Sequence, residues 1–434
     1  MKENQTIVSQ TRQKQFSLRQ NSLFNSVGTI IFYVCLWALS VVVMRLGSGA
    51  DVGMLQLAMT VTNVFSSVAN YNMRAFQISD VRNEYTAGHY VASRILTGSF
   101  ALLACLVYSL FWGYSAYTIL CIGLYMLFRL SESAADVLHG VDQKSGRMDH
   151  VMVSYVSRGL LMLAGFALLL KFSGRIDLSV AGLALITWLI VLLYDVPVAG
   201  RYDRLRPSFD ARVLFRLLRV CLPGMLAAVA FTAIVSIPRQ YLGKLEGDLL
   251  LGYYATVSTP LVFVQVLLNS LMNPAIGDLA ESWSAGNLSA FWKLTLKLTA
   301  LVFLLGALTL GGVALLAQPV MTFVFGASIS PYVYLMIPVT GCAVLYAVSC
   351  ITFNLLVILR KLKALLIVSL AALLFAVLAA PSLIRLSGAN GVSFCVMAAY
   401  ILFILLSLAL VCREAKQKRR SFDQHDPEGS DHGV

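Results

Sequence analysis

The stretch "GMLQLAMTVTNVFSSVANYNMR" covers residues 53–74, and six of its polar members fall at Gln56, Thr60, Asn63, Ser67, Asn70 and Arg74. Steps of 4, 3, 4, 3 and 4 residues follow the 3.6-residue turn of an α-helix, so these side chains form one stripe on one face. The rest of the stretch is mainly Leu, Met, Val and Ala. Lipid supplies no hydrogen-bond partner, so an amide-bearing stripe on a membrane helix must meet water or another helix. The pattern predicts a span that either hydrogen-bonds to neighbours or lines a hydrated cavity.

Composition sets the class of the whole chain. Of 434 residues, 59% are hydrophobic and 12% charged, against about 25% charged in soluble domains. Mean hydropathy is +0.79. The expectation is an all-α polytopic membrane protein. The formal charge of +12 would suggest a nucleic-acid partner in a soluble protein. Here the basic residues border apolar segments, so no nucleic acid is expected and the charge reports orientation in the bilayer.

At about 20 residues per span, twelve helices are predicted. They cover 22–44, 52–72, 91–111, 115–135, 151–170 and 178–198 in the first half. The second half follows at 219–238, 251–273, 294–316, 332–357, 364–384 and 390–411. With the N-terminus placed inside, Lys and Arg gather in the inner segments, above all in 201–219 and 413–420. Arg45, Lys171, Arg175, Arg239, Lys244 and Arg385 remain outside, and Arg94, Arg129 and Arg158 lie within spans. This bias predicts a multi-pass protein of the cytoplasmic membrane with both termini cytoplasmic.

The domain plan is then a cytoplasmic tail (1–20), an N-lobe (21–198), a basic linker (199–218), a C-lobe (219–412) and a disordered cytoplasmic tail (413–434). Residues 1–20 are polar and the first apolar run is long enough to span, so it is expected to be an uncleaved anchor. In the linker, Val213, Leu214, Leu217 and Leu218 oppose arginines, which predicts an amphipathic segment on the anionic leaflet. A faint repeat supports two parallel halves. Gly53 and Asn70 stand seventeen residues apart, as do Gly252 and Asn269. A shorter polar series in the second half runs Gln265, Asn269 and Asn273. Two series at equivalent places favour a shared hydrated cavity.

The run "RLSESAADVLHGVDQKSGRMD" (129–149) places Arg129, Glu132 and Asp136 on one face of the fourth span. Arg129 lies about 8 Å inside the predicted cytoplasmic end and Arg158 about 10 Å inside the next helix. Arg94 joins them from the third span. One reading is an internal network, Arg129 with Glu132 and Arg158 with Asp136. The other is an inward-facing mouth for a phosphate group, which the guanidinium fork suits. Glu132 and Asp136 would then position the arginines or couple an ion. With the polar stripes, the candidate substrate-binding residues are Arg74, Arg94, Arg129, Arg158, Gln56, Asn63, Asn70, Gln265, Asn269 and Asn273.

Catalytic signatures are missing. The eight cysteines form no CxxC pair, the five histidines no HExxH, and no GxxxxGK[ST] loop occurs. No metal or cofactor is expected. A membrane glycosyltransferase, polymerase or ligase would carry a large polar outer loop, whereas "GYS" alone separates spans 3 and 4 and 317–331 is nearly uncharged. An enzyme is not expected.

Three stretches carry a resemblance that spans most of the chain: "RLGSGADVGMLQLAMTVTNVFSSVANYNMRAFQISD" (45–80), the 129–149 run, and "PRQYLGKLEGDLLLGYYA" (238–255). With them the sequence resembles the polysaccharide flippases of the multidrug/oligosaccharidyl-lipid/polysaccharide exporter superfamily. The resemblance implies two six-helix lobes around a central cavity and alternating access. It implies a polyprenyl-pyrophosphate-linked sugar as cargo and membrane lipids around a monomer, with polysaccharide-assembly enzymes as further partners. Related peptidoglycan-precursor flippases place arginines in the first helices of the N-lobe. This sequence has none inside its first span, so that site does not transfer. A multidrug antiporter of the same superfamily is the alternative.

Overall fold

The computed structural model describes residues 16–80, 84–258 and 278–425. Eleven helices among them are long and apolar enough to cross a membrane. The remaining predicted span, 251–273, falls mostly outside the described residues, as do Gln265, Asn269 and Asn273.

The first half contains α1 (Leu18–Leu46), α2 (Gly49–Asn70), the short α3 (Met73–Ser79), α4 (Ala87–Trp112), α5 (Ala116–Lys144), α6 (Met148–Ser173) and α7 (Ile176–Ala199). The second half contains α8 (Ala211–Glu246), α9 (Asp248–Ser258), α10 (Leu288–Phe325), α11 (Met336–Ile358), α12 (Leu362–Ser387) and α13 (Asn390–His425). Local chemistry sets the boundaries. Ser17 with Gln20, and Ser48 with Asp51, form reciprocal caps that start α1 and α2. Gly113 takes a left-handed φ of 82° to end α4 inside the "GYS" turn.

Each half has its own apolar interior. One core joins residues of α1, α2, α4, α5, α6 and α7, including Leu39, Val61, Tyr125 and Phe166. Another is made of second-half residues such as Phe231, Leu335, Ile351, Ala376 and Phe403. The outside is apolar as well: Phe111, Phe172, Leu193, Leu315 and Leu386 all stand exposed. Such a surface suits a lipid environment.

α2 is the seam between the lobes. Gly53 and Gly252, the pair noted in the sequence repeat, meet backbone to backbone. A Cβ on Gly252 would sit 3.0 Å from the Gly53 nitrogen, and one on Gly53 would sit 2.6 Å from the Asp248 carbonyl oxygen. Near this far end of the bundle, Arg45 donates to the carbonyls of Val324 (2.8 Å) and Phe323. Tyr108 donates to Gln240 at 2.7 Å, and Lys244 lies over the Trp112 ring. Midway down, the Ser67 and Thr232 hydroxyls are 3.1 Å apart. The far end is therefore sealed between lobes.

One sequence expectation is corrected. The polar stripe does not run along one helix to Arg74. α2 stops after Asn70, Tyr71 and Asn72 turn at φ of 50° and 52°, and Arg74 belongs to α3. The last part of the 199–218 linker is continuous with the next helix. Asp210 caps α8, which starts at Ala211, and Leu214 and Leu217 are buried. Leu217 joins a core with Tyr90, Ala135 and Leu138. Residues before it are pinned to α4, where the Ser208 amide donates to the Gly88 carbonyl.

Candidate substrate site

The end of the N-lobe near the linker gathers three arginines. Asp136 on α5 accepts from Arg74 Nη1 at 3.0 Å and from Arg94 Nη2 at 2.8 Å. Arg94 Nη1 also donates to the carbonyl of Ala69 at 2.9 Å. That carbonyl lies in the last turn of α2, where helical partners run out. Arg74 Nη2 reaches Gln143 Oε1 at 3.1 Å. Arg94 is buried, while Arg74 and Asp136 keep about a quarter of their side-chain surface open (22% and 24%).

About two turns back along α5, Arg129 Nη1 donates to Glu132 at 2.5 Å, and its Nη2 donates to Ser66 Oγ at 2.8 Å and Asn63 Oδ1 at 3.4 Å. The predicted arc of α5 thus exists: Arg129, Glu132, Asp136 and Gln143 all bond toward the region of α2 and α3 or along their own face. Three guanidinium groups share two carboxylates, leaving a net positive charge beside the seam.

The predicted pairing of Arg158 with Asp136 does not occur, because Arg74 and Arg94 occupy both oxygens of that carboxylate. Arg158 sits instead inside the N-lobe, 1% exposed, with its guanidinium 5.6 Å from the Phe32 ring centre and Nη2 3.3 Å from Ser131 Oγ. Gln56 is also internal and donates to Ser40 at 3.0 Å. Asn70 carries a buried Oδ1 that accepts no hydrogen bond. Asn63 is exposed, and it faces the space between lobes.

That space is a cavity of about 320 Å³. Asn63 is its N-lobe wall. The C-lobe supplies Thr232 and Arg239 from α8, Tyr254 and Ser258 from α9, Tyr346 from α11 and Tyr400 from α13. The sequence reading missed these aromatic residues, whose spacing alone is that of ordinary core. It ended the seventh span at residue 238, with Arg239 just beyond it, whereas α8 continues to Glu246 and carries Arg239 on the cavity wall.

A second missed group is His139, Asp142 and Asp195, all at most 2% exposed. His139 Nε2 is 3.0 Å from Ser154 Oγ and 3.6 Å from Asp195 Oδ1. A π-turn over Val191–Asp195 aims that carboxylate inward, which periodicity cannot reveal. Among the described residues no group of three His, Cys, Asp or Glu is arranged to hold a metal.

Known proteins give this geometry its context. No protein-family profile matches the chain. The capsular polysaccharide biosynthesis protein CapF of Staphylococcus aureus is 21% identical over 311 residues, covering 71% of this chain and 77% of that protein. The lipid II flippase MurJ, in an inward closed conformation, superposes with a TM-score of 0.68 at 14% identity, over 90% of this chain and 87% of that one. An inward-facing multidrug resistance MATE transporter of the MOP superfamily superposes with a TM-score of 0.63 at 16% identity, over 93% and 96%. An outward-facing MATE structure gives 0.61 at 16% identity, over 92% and 95%. The chain has the two-lobed helical fold shared by MOP-superfamily transporters, MATE exporters and the MurJ flippase alike.

Proposed function

We propose that this chain is a flippase that carries a polyprenyl-pyrophosphate-linked oligosaccharide across the cytoplasmic membrane for surface polysaccharide assembly. The observation that carries this reading is Arg129. It stands at the seam between lobes with one hand on Glu132 and the other on Ser66 and Asn63, and Asn63 is the N-lobe wall of the cavity.

A diphosphate entering from the linker end would take Arg129 from its neutral partners at little cost, and Glu132 would reclaim it on release. Arg74 and Arg94, tied together through Asp136, add positive potential behind it. The sugar then faces hydroxyls and tyrosine rings of the C-lobe, while the polyprenyl chain stays in lipid. In this reading the linker end is cytoplasmic, as the Lys and Arg bias predicts. The seal at the far end is the outer gate, and cargo leaves when the lobes rock apart there. Gln56 and Arg158 hold the N-lobe together, and the protein works as a monomer without catalytic groups. The likeness to CapF, a polysaccharide biosynthesis protein, agrees with this cargo.

A cation-coupled multidrug antiporter is the second reading, favoured by the buried His139, Asp142 and Asp195 and by the MATE likeness. One experiment separates the two. Purified protein in proteoliposomes is offered a fluorescent polyprenyl-pyrophosphate oligosaccharide, and outer-leaflet arrival is followed by quenching. Wild type should flip the lipid and Arg129→Gln should slow it at least tenfold. Inert wild-type protein that instead expels cationic dyes along a proton or sodium gradient would overturn the flippase reading.

A further inference from the structure

Among the described residues Arg239 is a cation without an anion: it lines the cavity from the C-lobe side, makes no ion pair with any of them, and its buried Nε meets no acceptor there. Its guanidinium carbon lies over the face of Tyr254, 5.7 Å from the ring centre. By contrast, Arg74, Arg94 and Arg129 each bond a carboxylate. A part-buried guanidinium without a counter-ion is costly, and this one belongs to the cavity wall.

Position matters as much as charge. Thr232 is tied to Ser67, next to the Ser66 that holds Arg129. Arg239 lies seven residues further along α8, about 10 Å toward the far end. A cargo anchored by its diphosphate at Arg129 would extend its sugars into the cavity toward Arg239. The walls on the way are Asn63, Thr232 and Ser258, with Tyr254, Tyr346 and Tyr400. Amides and hydroxyls suit sugar hydroxyls, and aromatic faces suit the apolar faces of pyranose rings.

We infer that Arg239 is a second anion subsite, and that it takes a carboxylate-bearing sugar of the cargo. The inference rests on the flippase reading above. A carboxylate fits better than the diphosphate itself. The cavity wall offers one guanidinium, matched to a single planar two-oxygen group, whereas the three-arginine cluster carries the surplus charge a diphosphate needs. The subsite makes specificity: with a neutral cargo Arg239 stays unpaired, so the site favours an acidic head group by leaving its donors unfilled otherwise.

The test uses two polyprenyl-pyrophosphate trisaccharides, identical except that one terminal glucose is replaced by glucuronate. Flipping of each is measured for wild type, Arg239→Gln, Arg239→Lys and Arg129→Gln in proteoliposomes. Calorimetry measures binding of the two free trisaccharides to solubilised protein. The expected wild-type result is a preference for the acidic form of tenfold or more in both assays. Arg239→Gln should abolish the ratio, Arg239→Lys should keep part of it, and Arg129→Gln should slow both lipids while free-sugar preference persists. Equal handling of both sugars by wild type, or an unchanged ratio in Arg239→Gln, would overturn the subsite. So would equal slowing of both lipids by Arg239→Gln with no loss of sugar preference, which would assign Arg239 to the diphosphate. If neither lipid moves while calorimetry still shows an Arg239-dependent preference, the flippase reading falls and the subsite stands.

Discussion

The two lobes solve the problem of a membrane interior in different ways. The N-lobe buries Arg94, Arg158, His139, Asp142, Asp177 and Asp195. Among the described residues of the C-lobe, the buried polar side chains are Ser and Thr hydroxyls and Gln240. Every ion pair of the described residues except Lys361–Glu414 lies in the first half of the chain. Where the N-lobe has guanidinium groups at the seam, the C-lobe has rings. Phe231 packs against Phe403, Phe353, Tyr400 and Tyr346 with ring centres 5.1–5.7 Å away. Charge is a burden in lipid that stability alone does not explain. Its concentration in one lobe fits the proposed function, in which the N-lobe takes the diphosphate while the C-lobe offers rings, hydroxyls and the single guanidinium of Arg239.

The sharpest way to break that comparison is to remove the main support of each lobe. Phe231→Ala deletes a core aromatic and should cost about 3–5 kcal/mol, read as a large fall in the melting temperature of detergent-solubilised protein. Asp136→Ala should cost about 3 kcal/mol because two guanidinium groups lose their shared partner. The two losses should differ in rescue. Converting Asp136 to Leu together with Arg94→Met should restore most of the lost stability, since the buried guanidinium goes with its partner while Arg74, 22% exposed, keeps Gln143. If the double variant is as unstable as Asp136→Ala, the ion cluster is structural and the division of labour fails. If it is stable but no longer flips lipid, the charges serve function.

A smaller effect is expected at the seam. Gly53 lies against the Asp248 carbonyl so closely that a Cβ would stand 2.6 Å away. Backbone cannot yield as a flexible side chain can, so Gly53→Ala should weaken the closed far end by about 1–3 kcal/mol. That is enough to shift an open–closed equilibrium by about fivefold to a hundredfold. Cys342, on the cavity wall, is the native reporter. In Gly53→Ala it should react several-fold faster with a membrane-impermeant maleimide added at the far end. An unchanged rate would mean that the Gly53–Gly252 contact does not control access.

These contacts also show how far sequence can be read. The membrane class and the lobes were legible because lipid enforces long apolar helices, a constraint that each segment satisfies alone. The arc of Arg129, Glu132 and Asp136 was legible because helical spacing fixes a face. Partner choice across helices was not. Arg74 took the carboxylate expected for Arg158, because α2 breaks at Tyr71 and Asn72 and turns α3 back toward α5. That break rests on two left-handed non-glycine residues, which propensity does not announce. Arg239 was read only as an outer basic residue, because a span closed at residue 238 gives no sign that α8 runs on through Pro238 to Glu246 along the cavity wall.

The weakest prediction tests the comparison from the other side. Lys361 and Glu414 form an ion pair in the C-lobe at 2.9 Å, with 45% and 25% of their side chains exposed. Water and salt screen such a pair, so it resembles a surface bridge and not the cluster around Asp136. Glu414→Ala should cost at most about 1 kcal/mol, and the small change should vanish at high salt. The cluster around Asp136, with Arg94 5% exposed, should keep its large effect under the same conditions. Melting curves of Glu414→Ala and Asp136→Ala at low and high salt would show it directly. A Glu414→Ala loss equal to that of Asp136→Ala would mean that the C-lobe depends on charge as much as the N-lobe does, and the contrast between them would lose its meaning.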